Sequence, residues 1–152
     1  MAKKFIIGID LGGTNLKVAL IGPGYRMIHK AVLSTRKFGD KSKLINAIVT
    51  AISKIIYLNK LTKADILGAG LGLPGPIDAQ RGLVHLFPNI PGWKKVDLKS
   101  ILEKKTGIKV YLDNDAKLMA LAEFTLGAAK GSRNAVCITL GTGVGGAIII
   151  DK

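Results

Sequence analysis

The sequence predicts an α/β domain built on a mixed sheet, and three observations carry that expectation. Residues 5–10, 14–21 and 25–35 form apolar runs joined by short glycine turns, which read as a three-stranded antiparallel meander. From residue 41 onward helical and strand patterns alternate, which implies parallel crossovers. A unit of strand, Gly-Thr turn and strand near the start recurs near the end, so the architecture is expected to be duplicated.

The elements follow in order. FIIGID (5–10) is a buried strand, and Leu11-Gly12-Gly13 turns it into TNLKVALI (14–21). Gly22-Pro23-Gly24 is a tight turn by composition, and 25–35 returns as the third strand. Residues 41–59 carry apolar side chains at 44, 45, 48, 49, 52, 55 and 56, the spacing of an amphipathic helix. ILGAGLGL (66–73) is a buried strand ending in the loop Pro74-Gly75-Pro76. Residues 77–93 read as irregular, with one hairpin around 79–82. A short helix spans 97–106, with Asp97 as N-cap, Lys104 and Lys105 in its last turn and Gly107 after it. IKVYL (108–112) is a fifth strand, and Asp113-Asn114-Asp115 leads into a helix over 115–128. Strands at 135–140 and 144–150 flank the last glycine turn. The order is β-β-β-α-β-α-β-α, closing on a hairpin. The expected division is a domain over 1–133 and, over 134–152, the first hairpin of a second such domain.

Composition bounds the function. The chain has 152 residues, 48% of them hydrophobic, enough for one packed core. No run of 18 apolar residues suggests a membrane span. The run after Lys3-Lys4 is short and broken by Asp10, so a cytoplasmic protein is expected. Cys137, the single cysteine, reads as a buried thiol and excludes a cysteine-rich zinc site within the chain. The net charge is +13, but the lysines are scattered in ones and twos and aromatic residues are few. That pattern reads as a solvated surface and argues against nucleic acid as the partner.

Two constellations carry chemistry. In Asp10-Leu11-Gly12-Gly13-Thr14-Asn15 the glycines let backbone N–H groups approach an anion. Asp10 ends a strand at the sheet's carboxyl edge, where it is suited to hold Mg²⁺ directly or through water. Thr14 adds a hydroxyl, Asn15 closes the turn, and Lys17 adds a cation. Asp113-Asn114-Asp115 lies between a strand end and a helix N-terminus, where a carboxylate can take a proton from a substrate hydroxyl. One member of that triplet is expected simply to cap the helix. Asn89 and Trp93, in PNIPGW, offer an amide and an aromatic face, or alternatively a packed loop. His29 and His85 have no partners at metal spacing. In the second glycine turn Ile138 stands where the first has Asp10, so Gly141, Thr142 and Gly143 offer mainly backbone N–H groups.

Five motifs occur in a specific order: Gly8-Ile9-Asp10-Leu11-Gly12-Gly13-Thr14; Gly72-Leu73-Pro74-Gly75-Pro76; Pro88-Asn89 with Gly92-Trp93; Asn114-Asp115-Ala116; and Leu140-Gly141-Thr142-Gly143-Val144-Gly145-Gly146. The ordered set resembles the ROK family of sugar kinases (repressor, open reading frame, kinase) over nearly the whole chain, as its amino-terminal half. The resemblance implies an actin-like, ribonuclease-H-like ATPase fold in two duplicated domains around a cleft. It implies a glucokinase-like activity, ATP-dependent phosphorylation of glucose or a related hexose, with Asp115 as catalytic base. Asn114, Asp115, Asn89, Gly75 and Pro74 would line the sugar site. Gly12, Gly13, Thr14, Asn15 and Lys17, with Gly141, Thr142 and Gly143, would face ATP phosphates, and Asp10 would face Mg²⁺.

The chain departs from the family pattern. It lacks the downstream histidine and glutamate of the sugar site, the zinc cysteines, the adenine pocket and the last helix, and no helix-turn-helix precedes residue 5. Asp113 replaces a glutamate common in relatives. The expected partners are therefore a hexose and either a second copy or a complementary carboxy-terminal half. Two rivals stand beside this reading. One is a ribonuclease-H-fold nuclease, which needs clustered acids for two metals. The other is a non-catalytic half that binds sugar or a partner.

Overall fold

The computed structural model describes residues 4–35, 38–87, 92–140 and 143–151. Its centre is a five-stranded mixed sheet of β1 (Phe5–Leu11), β2 (Asn15–Ile21), β3 (Met27–Ser34), β4 (Ile66–Leu73) and β8 (Val110–Asn114), ordered β3-β2-β1-β4-β8. β1, β2 and β3 pair antiparallel, and β4 and β8 add in parallel to β1. The meander and the parallel crossovers are those expected.

Alternation along the strands decides the core. Ile7, Ile9 and Leu11 of β1, Leu16, Val18 and Leu20 of β2, and Val110 and Leu112 of β8 point to one face and are buried. That face is covered by α1 (Lys41–Leu58), through Leu44, Ile48, Ile52 and Ile55, and by α2 (Leu98–Thr106), through Leu98 and Leu102. Each such side chain contributes roughly 1.5–3 kcal/mol by leaving water. Asp97 caps α2 by accepting the Ser100 N–H at 3.1 Å, and Gly107 ends it in the left-handed region at φ 71°. Both ends of this helix are as the sequence predicts.

The structure corrects the reading in four places. The irregular reading of 77–93 gives way to a small antiparallel sheet: the hairpin expected around 79–82 joins β5 (Ile77–Asp78) to β6 (Leu83–Leu86), and β7 (Lys94–Asp97) adds to it. Its strands are two to four residues long, too short for a periodic signal, and they hold through pairing rather than propensity. The fifth long strand starts at Val110, because Gly107 is spent on the helix cap and the next residues on the turn. Asp113 and Asn114 are thus strand residues, and α3 (Asp115–Leu126) begins at once. The third strand begins at Met27, since Pro23–Tyr25 takes a 3₁₀ turn. Finally, Cys137 is only half-buried. It sits on a hairpin, β9 (Ala135–Leu140) and β10 (Val144–Ile149), that forms its own two-stranded sheet and packs on α3. With one helix to cover it, the hairpin leaves Val136, Ile138, Leu140, Val144 and Ile148 exposed.

The repeat is one of architecture, not of register. Leu11 pairs with Leu16 across the first turn, whereas Leu140 pairs with Val144 across the second. The second turn is one residue shorter, so the pairing shifts by one position.

Candidate functional site

A cleft of about 880 Å³ opens between the β1–β2 turn, the N-terminus of α3 and the β9–β10 hairpin. Gly12, Gly13 and Thr14 form one wall, Pro74, Asn114 and Asp115 the floor, and Gly143, with Thr139, Gly145 and Gly146, the facing wall. A tight reverse turn shapes the first wall: the Gly12 N–H donates to the Asn15 carbonyl at 2.9 Å. Chain reversal at the sheet's carboxyl edge thus sets this turn opposite the carboxylate that begins α3.

Asn114 is the N-cap of α3. Its Oδ1 accepts from the Ala116 N–H at 3.0 Å and the Lys117 N–H at 3.3 Å. Its Nδ2 donates toward the Gly75 carbonyl at 3.4 Å, tying the helix start to the loop after β4. An amide has two N–H donors, and the second has no partner among the described residues. The capping expectation and the binding expectation therefore fall on one residue. Asp115 Oδ1 accepts the Ala116 N–H at 2.9 Å, in the helix's first turn, where the dipole favours negative charge. Asp113 is turned aside: its Oδ1 accepts the Asn114 N–H at 2.7 Å and lies 3.7 Å from Lys117 Nζ.

Gly75 holds the floor loop by conformation. Its φ is +99°, and a Cβ there would stand 2.6 Å from the Leu86 carbonyl oxygen. Gly145 lets the hairpin approach α3: a Cβ would meet Thr139 Oγ1 at 2.7 Å and Ala116 Cβ at 3.3 Å.

Among the described residues, Asp10, Asn15, Lys17 and Gly75 are not on the lining of the cleft. Lys17 sits opposite Asp10 in the β1–β2 register, and its Nζ donates to Asp10 Oδ2 at 2.7 Å. Asp10 and Asp115 instead share a smaller groove of about 430 Å³ that borders the cleft at Asp115, Ala116 and Thr139. Asn15 is exposed in the turn and Gly75 acts from behind the floor. Asn89, Gly141 and Thr142 lie outside the described residues. Trp93 is 2% exposed and packs against Phe87 with ring centroids 5.4 Å apart and the planes tilted by 45°, so it is a packed core residue and offers no aromatic face to a ligand. Thr139, Gly145 and Gly146 join the site without having been nominated. The Gly145-Gly146 pair is visible in the sequence as part of the second glycine motif, but Thr139 carries no sequence signal.

Mg²⁺ prefers one or two carboxylates together with phosphate oxygens. The Asp10 carboxylate, neighboured by Asp115 along the shared groove, fits such a minimal set. The described residues bring together no group of three His, Cys, Asp or Glu.

Comparison with known proteins matches this arrangement. The ROK family profile matches residues 6–152. The glucokinase of Halalkalibacterium halodurans is 37% identical over 99% of the chain, which spans 46% of that protein. A xylose repressor of Caldicellulosiruptor bescii is 35% identical over 97% of the chain and 37% of its own length. The crystal structure of a ROK family glucokinase from Streptomyces griseus, in complex with glucose and AMPPNP, superposes with a TM-score of 0.84 at 31% identity, over 97% of this chain and 45% of that one. The chain thus spans about half the length of the relatives it matches, and its fold is the actin-like ATPase fold. Since the family profile runs through every element that frames the cleft, from β1 to β10, the chain belongs to the ROK family.

Proposed function

We propose that the chain forms one side of the catalytic cleft of an ATP-dependent hexose kinase acting on glucose or a related sugar. The observation that carries the reading is the cleft itself, where a glycine turn (Gly12, Gly13, Thr14) faces Asp115 across one cavity. Phosphoryl transfer needs positioning and charge neutralisation more than covalent chemistry. The N–H groups of Gly13 and Thr14 and the Thr14 hydroxyl hold the transferred phosphoryl group, the Gly12 N–H being used to close the turn. The second amide N–H of Asn114 and the loop at Pro74 orient the sugar. Asp115 accepts the hydroxyl proton, late in the transfer because a carboxylate is a weak base toward an alcohol. Mg²⁺ bound near Asp10 would supply charge neutralisation on the phosphates. Gly143 and the neighbouring backbone of the hairpin face the nucleotide phosphates, and residues 134–152 belong to a second domain completed by a complementary half or by a second copy. The glucokinase relatives support this reading.

A coupled ADP-release assay with glucose tests it, run on the 152-residue chain alone and with an added carboxy-terminal half, alongside calorimetry with glucose alone. Asp115→Asn is expected to lower turnover by about 10²–10⁴-fold, the usual worth of a positioned general base, while glucose binding persists. Unchanged turnover in Asp115→Asn would remove Asp115 from the chemistry. The similarity to a xylose repressor favours a second reading, a sugar-binding half without transfer. Glucose binding with no ADP release, with or without an added carboxy-terminal half, would establish that one. Binding of duplex DNA without sugar binding would return the nuclease reading.

A further inference from the structure

We propose that the groove between β3 and α1 is a docking site for an acidic amphipathic helix of a partner protein. The groove has a volume of about 880 Å³ and shares no residue with the cleft. One wall is a single stripe of α1: Lys43, Ala47, Thr50, Ala51, Lys54 and Leu58. These positions recur three or four residues apart and so share a helix face. The other wall is β3, the edge strand of the sheet. Small side chains at 47, 50 and 51 leave the middle of the trough open. Apolar side chains border it, with Val32 55% and Leu58 51% exposed. An amphipathic helix laid in an apolar groove is a recurrent recognition mode.

Charge selects the occupant. The groove's titratable side chains are His29, Lys43 and Lys54, and no acid lines it among the described residues. Lys43 Nζ lies 3.6 Å from Asp40 Oδ2 at one end, an exposed and therefore weak pair. No described carboxylate is within ion-pair distance of Lys54 at the other end. The two lysines are eleven positions apart along the helix, about 16 Å at about 1.5 Å per residue. A single-headed anionic amphiphile would reach one of them. A three-turn helix with acids near both ends and an apolar stripe between reaches both. A second copy of this chain is a poorer occupant, because α1 carries no acid and the chain's net charge of +13 is self-repelling.

The test uses a fluorescein-labelled 14-residue helical peptide with leucines on one face and glutamates elsewhere, and its lysine counterpart. Anisotropy is measured against the 152-residue chain. The acidic peptide is expected to saturate, and Thr50→Trp, which fills the trough without changing charge, is expected to weaken it at least tenfold. Lys54→Glu is expected to weaken it at least fivefold, and circular dichroism checks that both variants fold. Equal binding to Thr50→Trp would reduce the effect to general attraction by a basic surface and overturn the proposal. So would equal binding of the lysine peptide. Binding of dodecanoate at one equivalent, sensitive to Thr50→Trp, without peptide binding would make the occupant a lipid. Self-association abolished by Thr50→Trp would make it a second copy. Either of these outcomes replaces the proposal.

Discussion

Lys17 Nζ donates to Asp10 Oδ2 at 2.7 Å, directly across the β1–β2 pair that carries the first glycine turn. Both side chains are about half exposed, so the pair is worth at most about 1 kcal/mol. Its consequence is for binding rather than stability, because the lysine occupies the carboxylate that the proposed Mg²⁺ site needs. Lys17→Met is therefore expected to move the thermal midpoint by no more than about 4 °C. A drop well beyond that in a melting scan would mean the pair is structural.

Asn114 does two tasks with two different atoms, and substitutions separate them. Asn114→Asp keeps the capping oxygen but removes the amide donor and its contact with the Gly75 carbonyl, so glucose affinity should fall while the cap itself is retained. Asn114→Ala loses the cap as well, at a cost of about 1 kcal/mol. Calorimetry and thermal melts on the two variants together read this out. Equal glucose affinity in all three proteins would take the amide out of the sugar site.

Gly145 allows the hairpin to lie on α3, with room for no side chain beside Thr139 and Ala116. A two-stranded hairpin alone is marginal in water. Gly145→Val should lift it from the helix. Amide hydrogen exchange is then expected to lose protection over 135–149 while β1, β2 and β4 keep theirs. Unchanged protection in the hairpin would show that its hold does not depend on this contact.

Acid should destabilise the fold in a defined direction. Asp40, which caps α1, accepts the Lys43 N–H, and that bond holds its carboxyl below the ordinary 3.8. Asp65 is lowered in the same way by the N–H and then the hydroxyl of Thr62. A carboxyl lowered on folding contributes stability above its unfolded pKa, and that contribution is lost as the pH falls through the folded value. The urea midpoint is expected to fall as the pH drops from about 5 to below 3.9. The Asp40→Asn, Asp65→Asn double variant should show a shallower fall. An identical pH profile would assign the acid sensitivity elsewhere.

The long elements were legible because each carries its own local signal. Leu44, Ile48, Ile52 and Ile55 mark a helix face at any point in a chain, and Asp97 and Gly107 punctuate α2 without tertiary help. Of the small sheet only the hairpin turn around 79–82 was legible, because strands of two to four residues exist only through their partners. Within the site, Gly12, Gly13, Thr14, Asp115 and Gly143 were nominated from motif chemistry and Pro74 and Asn114 from the family resemblance, and the structure brings them to one cleft. Trp93 showed the limit, since an aromatic residue in a proline-rich loop suits a sugar platform and a core equally well. Packing against Phe87 decides for the core.

By itself, then, the sequence determined the mixed α/β architecture, the glycine turns and the residue types able to handle phosphate and a hydroxyl proton. These follow from periodicity, capping and side-chain chemistry, all of which act over a few residues. Only the tertiary structure decided that Lys17 rests on Asp10, that Asn114 caps α3 while donating toward Gly75, and that the last hairpin closes the cleft through Gly145. Those relationships depend on strand register and on the approach of segments distant in the chain, which no local pattern encodes.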